Sequence, residues 1–304
     1  MSIVADWSAE KARAFTRENL AFTHDLHQRE MFSDEGLIEV LDRYPRDRLG
    51  VFTMGRDPVA WTSWRRGSAG DLSGAQLLDA AKQGRIWLNL RETNRHLPAY
   101  AALCEEIFAE KAARAPGLKT FKRDLGLLIS SAEAQVFYHL DVALVSLWQI
   151  RGGKRVWVYP VEAPFAPQET LERIVLRETA EQFPFDPAWD AAAEVFDLTP
   201  GRMVTWKQNA PHRIVNGPML NVSLSIEFMT PEALMRANVI YANAVLRRRL
   251  GARPRVQAGF TPLGLGKVAL ARGAKAIGLQ KPDERVLPAS FRLDPAAPGE
   301  LLPA

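Results

Sequence analysis

One stretch constrains the chain more than any other: residues 134–160, AQVFYHLDVALVSLWQIRGGKRVWVYP. Its two apolar, β-branched and aromatic runs flank Arg151-Gly152-Gly153, so it reads as two core strands joined by a turn. Within the first run His139 and Asp141 stand two residues apart. Residues i and i+2 of a strand share a face. An imidazole and a carboxylate are therefore expected side by side on an otherwise apolar surface. Burying both is costly unless something pairs with them. A divalent metal would do so, with a third ligand from elsewhere. His212, in PGRMVTWKQNAPHRIVNG, is the candidate.

The rest of the chain supplies a setting for such a site. Residues 8–20 and 35–44 carry helical spacing, with Ser8 and Ser33 or Asp34 as N-caps. His24, Asp25 and His27 fall between these helices in a polar context with no third ligand nearby, so they read as ordinary surface residues. RLGVFTMG and RIWLNLRET read as strands. In the second, Arg85, Trp87, Asn89 and Arg91 share one face and Ile86, Leu88 and Leu90 the other. Ser73 caps a helix to about Gln83, and Pro98 opens another whose apolar stripe includes Cys104. From Leu118 onward, short strands and Gly, Pro and Asn turns succeed one another. The expected fold is mainly β with flanking helices: a double-stranded β-helix, or jelly roll. Its core spans 118–230, and residues 1–117 form a helical and mixed portion packed on it. A helix over 231–251 has Thr230 as N-cap, Pro231 first and Gly251 as its stop. Residues 252–304 read as a weakly structured tail.

Composition narrows the class. A single cysteine, Cys104, excludes an intrachain disulfide and a multi-cysteine zinc site. No apolar run is long enough to span a bilayer, and the first fifteen residues lack the apolar segment of a secretion signal. A cytoplasmic location is the expectation. The net charge of +4 is mild, and Arg247, Arg248, Arg249, Arg253 and Arg255 carry much of the excess. A solvated helix end favoured by the helix dipole accounts for that cluster, so nucleic acid is not an expected partner.

Two imidazoles and a carboxylate on one side of a metal leave open positions, an arrangement suited to non-haem Fe(II). The helical H-E-x-x-H of a zinc protease is absent. Lys154 opens the strand after the glycine turn, and an interior lysine needs an anionic partner. The far carboxylate of an iron-bound dicarboxylate would be one. Gln149 has the parity of His139 and Asp141. Asn221, Ser223, Ser225 and Glu227 share one face of a later strand, which implies a wet cavity.

The runs HLD…WQIRGGKRVWVYP and PGRMVTW…PHRIVN resemble the JmjC or cupin-like Fe(II)- and 2-oxoglutarate-dependent oxygenases, above all their asparaginyl-hydroxylase and small JmjC branch. The resemblance covers about residues 118–230. It implies that His139, Asp141 and His212 hold iron and that Lys154 binds the tail carboxylate of 2-oxoglutarate. Gln149 and the glycine turn also match. It further implies hydroxylation of a protein side chain or a peptide-like metabolite, and a homodimer through the 231–250 helix. Two positions depart from the pattern. Gln135-Val136-Phe137-Tyr138 replaces the usual Gly-Thr lead-in, leaving Ser130 or Ser225 to give the cosubstrate a hydroxyl, and Pro200-Gly201-Arg202 replaces Pro-Gly-Asp. A metallo-cupin that uses no 2-oxoglutarate and a non-catalytic binding protein of the same fold stand as alternatives. Residues 59–70 and 161–195 are the expected lid and specificity segments.

Overall fold

The computed structural model of the protein describes residues 2–252, 254, 259–279 and 287–304. Its strands are β1 (Leu20–Thr23), β2 (Gly50–Thr53), β3 (Arg65–Ser68), β4 (Ile86–Leu90), β5 (Phe121–Ser130), β6 (Gln135–His139), β7 (Leu144–Arg151), β8 (Lys154–Val158), β9 (Glu194–Leu198), β10 (Arg202–Thr205), β11 (His212–Asn216), β12 (Asn221–Met229), β13 (Phe291–Leu293) and β14 (Leu301–Pro303). They form a large sheet in the order β1-β10-β7-β12-β5-β4-β2-β3-β13-β14 and a small sheet in the order β6-β11-β8-β9. Neighbours pair antiparallel throughout, apart from the parallel pair β3 and β13.

Period-2 alternation decides which face each strand buries. Val222, Leu224, Ile226 and Phe228 of β12 and Ile86, Leu88 and Leu90 of β4 point outward from the large sheet and are 0% exposed. Helices α1 (Ala9–Ala14), α2 (Asp34–Arg43), α3 (Gly74–Gln83), α4 (Thr93–His96) and α5 (Pro98–Arg114) belong to the N-terminal portion. Apolar residues of α2, α3 and α5 join that outward face in one core. Each fully buried Leu, Ile or Phe there contributes about 1.5–3 kcal/mol. Cys104 lies in this core, as its helical stripe required. The inner faces of the two sheets meet through Val145, Leu147 and Val204 on one side and Val156, Val158, Leu198 and Ile214 on the other. The protein is thus mainly β, with two facing sheets and flanking helices.

Local signals placed the helices well. Ser8, Ser33, Ser73 and Thr230 all cap with their hydroxyls, and Ser73 adds a capping box with Gln76. Gly251 closes the helix Pro231–Leu250 in the left-handed conformation at φ 63°. The helical spacing read over 8–20, however, yields helix only to Ala14. Leu20–Thr23 instead becomes an edge strand against β10, because Phe22 finds the aromatic core there.

One further expectation changes at the C-terminal end. After α6 (Gln168–Val175), α7 (Pro231–Leu250) packs largely within the chain. Ile240, Tyr241, Ala242 and Ala244 are buried inside the chain, against α6 and α8 (Pro262–Ala276). The tail also carries structure: α8 packs Ala271 and Ala274 into this cluster, while β13 and β14 extend the large sheet. Arg253 and Arg255 lie outside the described residues.

Candidate metal centre and its cavity

β6 and β11 pair antiparallel and bring His139 directly opposite His212. The register slips by one between His212 and Ile214, a bulge that lets both Val136 and His139 line the same cavity. β6 ends at His139, so Asp141 sits in the connection to β7 and not on the strand. The side chains converge nonetheless. One ligand atom from each of His139, Asp141 and His212 lies within 4.8 Å of the other two. Nε2 of His212 is 3.4 Å from the Asp141 carboxylate, and Nε2 of His139 is 3.9 Å from it.

The other ring nitrogens are fixed. His139 Nδ1 lies 2.7 Å from the Phe137 carbonyl and His212 Nδ1 lies 3.0 Å from the Ala210 carbonyl. A carbonyl only accepts, so each Nδ1 carries a proton and donates it, which leaves a lone pair on each Nε2. Burial, and then neighbouring His139, push the His212 imidazole down to about 4, so it is neutral at physiological pH. Two nitrogen lone pairs and a carboxylate therefore face one another in a buried place. That arrangement is repulsive unless a cation sits among them, and backbone-oriented imidazoles are the usual support of a metal ligand. The donor set fits a divalent metal such as Fe(II). Asn209 steadies it, donating from Nδ2 to the Asp141 carbonyl at 2.9 Å and accepting from Arg236 Nε.

The three residues line a cavity of about 230 Å³ between the sheets. Ser225 lines it as expected, and so does Trp206. Trp64, just before β3, and Glu181 and Gln182 from the 161–195 segment also line it. An isolated β-bridge between His139 and Gln182 ties the latter segment to the ligand strand. Gln149 is buried but is not among the lining residues: its amide donates to the Arg151 carbonyl and Asn221 Oδ1 and accepts from Ser223. Lys154 is buried too, on the same side of β8 as Val156 and Val158. Val158 pairs with His212 and Lys154 with Asn216. The lysine thus stands four residues, roughly 13 Å of strand, from the ligand level. Among the described residues no charged group acts on it, and burial alone pushes its ammonium down to about 7.

Arg91, just after β4, is a further polar residue of the site. It lines the cavity, as its parity with Trp87 and Asn89 predicts, and bridges Asp124 and Glu227 at 3.0 and 2.9 Å. Glu227, first by burial, is pushed up to about 7. The buried Asn89 Oδ1 has no hydrogen-bond partner and also faces this space. No motif marks Asp124, Glu181 or Gln182; only the return of distant strands brings them here. Trp157 lies beneath Arg213, outside the cavity. His24 accepts the Leu26 amide through Nδ1 and lies 3.2 Å from the Arg202 carbonyl through Nε2. Its ring is therefore engaged locally.

No family model matches the sequence, and no curated protein is similar to it. Solved structures are. An X-ray structure of E. coli ycfD aligns at TM-score 0.52 and 17% identity, covering 91% of this chain and 70% of that one. A structure of YcfD, a ribosomal oxygenase from Escherichia coli, in complex with cobalt and 2-oxoglutarate aligns at 0.49 and 17%, covering 90% and 67%. The two-sheet architecture built here around a His-Asp-His cluster is therefore the fold of the E. coli ycfD structure.

Proposed function

We propose that this protein is an Fe(II)- and 2-oxoglutarate-dependent oxygenase of the JmjC or cupin-like kind, with a double-stranded β-helix core over 118–230. Four strands of the 1–117 portion extend the larger sheet of that core. One observation carries the reading: two imidazoles, each with its protonated nitrogen pinned to backbone, aim their free lone pairs at one carboxylate between the two sheets. His139, Asp141 and His212 are the residues that would hold the iron. When bound, Fe(II) supplies open coordination positions for 2-oxoglutarate and dioxygen, and the means to oxidise a C–H bond. The overall balance is substrate C–H plus O2 plus 2-oxoglutarate giving substrate C–OH, succinate and CO2.

The chain's own residues bind and orient. Lys154 pairs with the tail carboxylate of the cosubstrate, which ends its isolation as a buried cation. Ser225 offers a hydroxyl along the same wall, and Gln149 acts through the Ser223 hydroxyl that it holds. Arg91, Glu227 and the unpaired Asn89 carbonyl form a polar part of the cavity wall, and Trp64 and Gln182 line it as well. E. coli YcfD is described as a ribosomal oxygenase. A protein side chain is accordingly the preferred substrate class here, with a peptide-like metabolite as the other. No helix is long and apolar enough to cross a membrane. A lone buried thiol agrees with a reducing compartment, and the proposed location is the cytoplasm.

The test is succinate release from 2-oxoglutarate by anaerobically iron-loaded protein on exposure to air, together with 2-oxoglutarate binding by calorimetry. Turnover that is lost in His139→Ala, and 2-oxoglutarate affinity that is lost in Lys154→Ala, are the expected results. A metal-loaded protein that neither binds nor turns over 2-oxoglutarate would refute the reading.

A further inference from the structure

A second, larger concavity lies beside the loop that follows Asp141. It has a volume of about 940 Å³. Leu144 and Val161 line it beside four segments far apart in sequence: α1 and its exit, the loop after α5, the loop after β10, and the first turns of α7. Each brings cations: Arg13 and Arg17, Lys119, Lys207, and Arg236. Glu232 is the one acidic residue among the lining.

These cations differ from those the sequence made conspicuous. Arg247 and Arg248 at the end of α7 are paired with Glu172 and Glu178. Among the described residues, none of the five groove cations forms an ion pair; Arg236 bonds only the neutral Asn209 amide. Five like charges around one hollow repel one another, and that arrangement is favourable only toward an anionic occupant. The hollow is too large for a single small anion. Leu118, Val161 and Pro231 of its lining are partly exposed, but its one aromatic residue, Phe15, is buried in the core, so the aromatic anchors common at peptide interfaces are missing. A string of phosphates needs cations and no apolar pocket. The sequence pI of about 9.3 points the same way.

We propose that this groove binds the phosphodiester backbone of a nucleic acid. The occupant would lie next to the candidate centre, since Arg236 holds Asn209 and Asn209 holds the Asp141 carbonyl. This revises the expectation that nucleic acid is no partner. The expectation weighed a cluster along the chain, whereas the groove cations assemble only in the fold. The proposal stands independently of the oxygenase reading.

The experiment is fluorescence anisotropy of the full chain with a labelled oligouridylate of about 12 nucleotides, with oligothymidylate alongside. Five phosphate contacts predict a slope of log affinity against log salt near −3.5. Affinity should then fall about 100-fold between about 50 and 200 mM salt. The triple variant Arg17→Glu/Lys119→Glu/Lys207→Glu should lose binding by more than about tenfold. A charge-matched control, Arg48→Glu/Arg173→Glu/Arg272→Glu, alters exposed cations elsewhere and should keep most of it. If the groove triple fails to fold, Lys207→Gln alone should still shallow the slope by about 0.7. The proposal is overturned if control and groove variants lose binding equally, or if the slope is shallower than about −1. It is also overturned if poly-glutamate displaces the probe at lower concentration than unlabelled oligouridylate, which would make the partner an acidic protein.

Discussion

Lys154→Met replaces a buried, unpaired ammonium by an apolar side chain of similar length. The Lys154 ammonium is pushed from 10.5 to about 7 by burial alone. That difference is worth about 5 kcal/mol at 1.36 kcal/mol per pH unit. Its sign follows from linkage: between pH 7 and 10.5 the unfolded chain binds the proton that the folded chain has released, so folded stability rises with pH across that window. At or below neutral pH the lysine is a net cost, and the methionine removes it. After allowance for partial hydration and imperfect fit, the metal-free variant should gain about 2–4 kcal/mol. Its melting temperature should then rise by roughly 4–8 °C near pH 7. The gap to the parent should close as pH approaches 10. Cobalt-loaded protein with 2-oxoglutarate reverses the ranking: at about 100 times Kd the cosubstrate should stabilise the parent by about 2.7 kcal/mol and leave Lys154→Met nearly unmoved. A variant that melts below the parent without ligand, or responds to 2-oxoglutarate as the parent does, would show that Lys154 already has a partner and is not the anchor.

Three other outcomes follow from the geometry. His212→Ala should lose metal affinity by more than about 100-fold, read as cobalt retained after desalting. Asn209 stands at φ 64°, where glycine is at ease. Asn209→Gly therefore removes the amide from the Asp141 carbonyl without adding strain, and metal affinity should drop about tenfold with the melting curve intact. Because the Glu227 carboxyl is pushed up to about 7, chiefly by burial, the unfolded chain gives up that proton first as pH rises from 4.5. The parent should lose stability between about pH 5 and 7, and Glu227→Gln should flatten that loss. A parallel pair of melting curves would contradict it.

Much of the candidate centre was legible because its chemistry is written locally. An H-x-D string ending an apolar run, a lysine after a Gly-Gly turn, and a histidine at the start of another strand are spacings on the chain, and so are the Ser and Thr caps. The alternating polar face of β12 and the Trp87-Asn89-Arg91 face of β4 were likewise period-2 patterns that any half-buried strand must obey. What depends on one distant segment meeting another could not be read that way. The β6 bulge that re-aims His139, and the placement of Asp141 just beyond the strand, arise from pairing with β11. The burial of α7 depends on α8, which a Gly- and Ala-rich stretch builds from small residues that give a weak periodic signal. Arg91 becomes a cavity residue only because β5 and β12 bring Asp124 and Glu227 to it. The five groove cations come from residues 13 to 236 and share one hollow only after folding. Local periodicity determined which residues face inward; the free energy of long-range packing decided which inward faces meet.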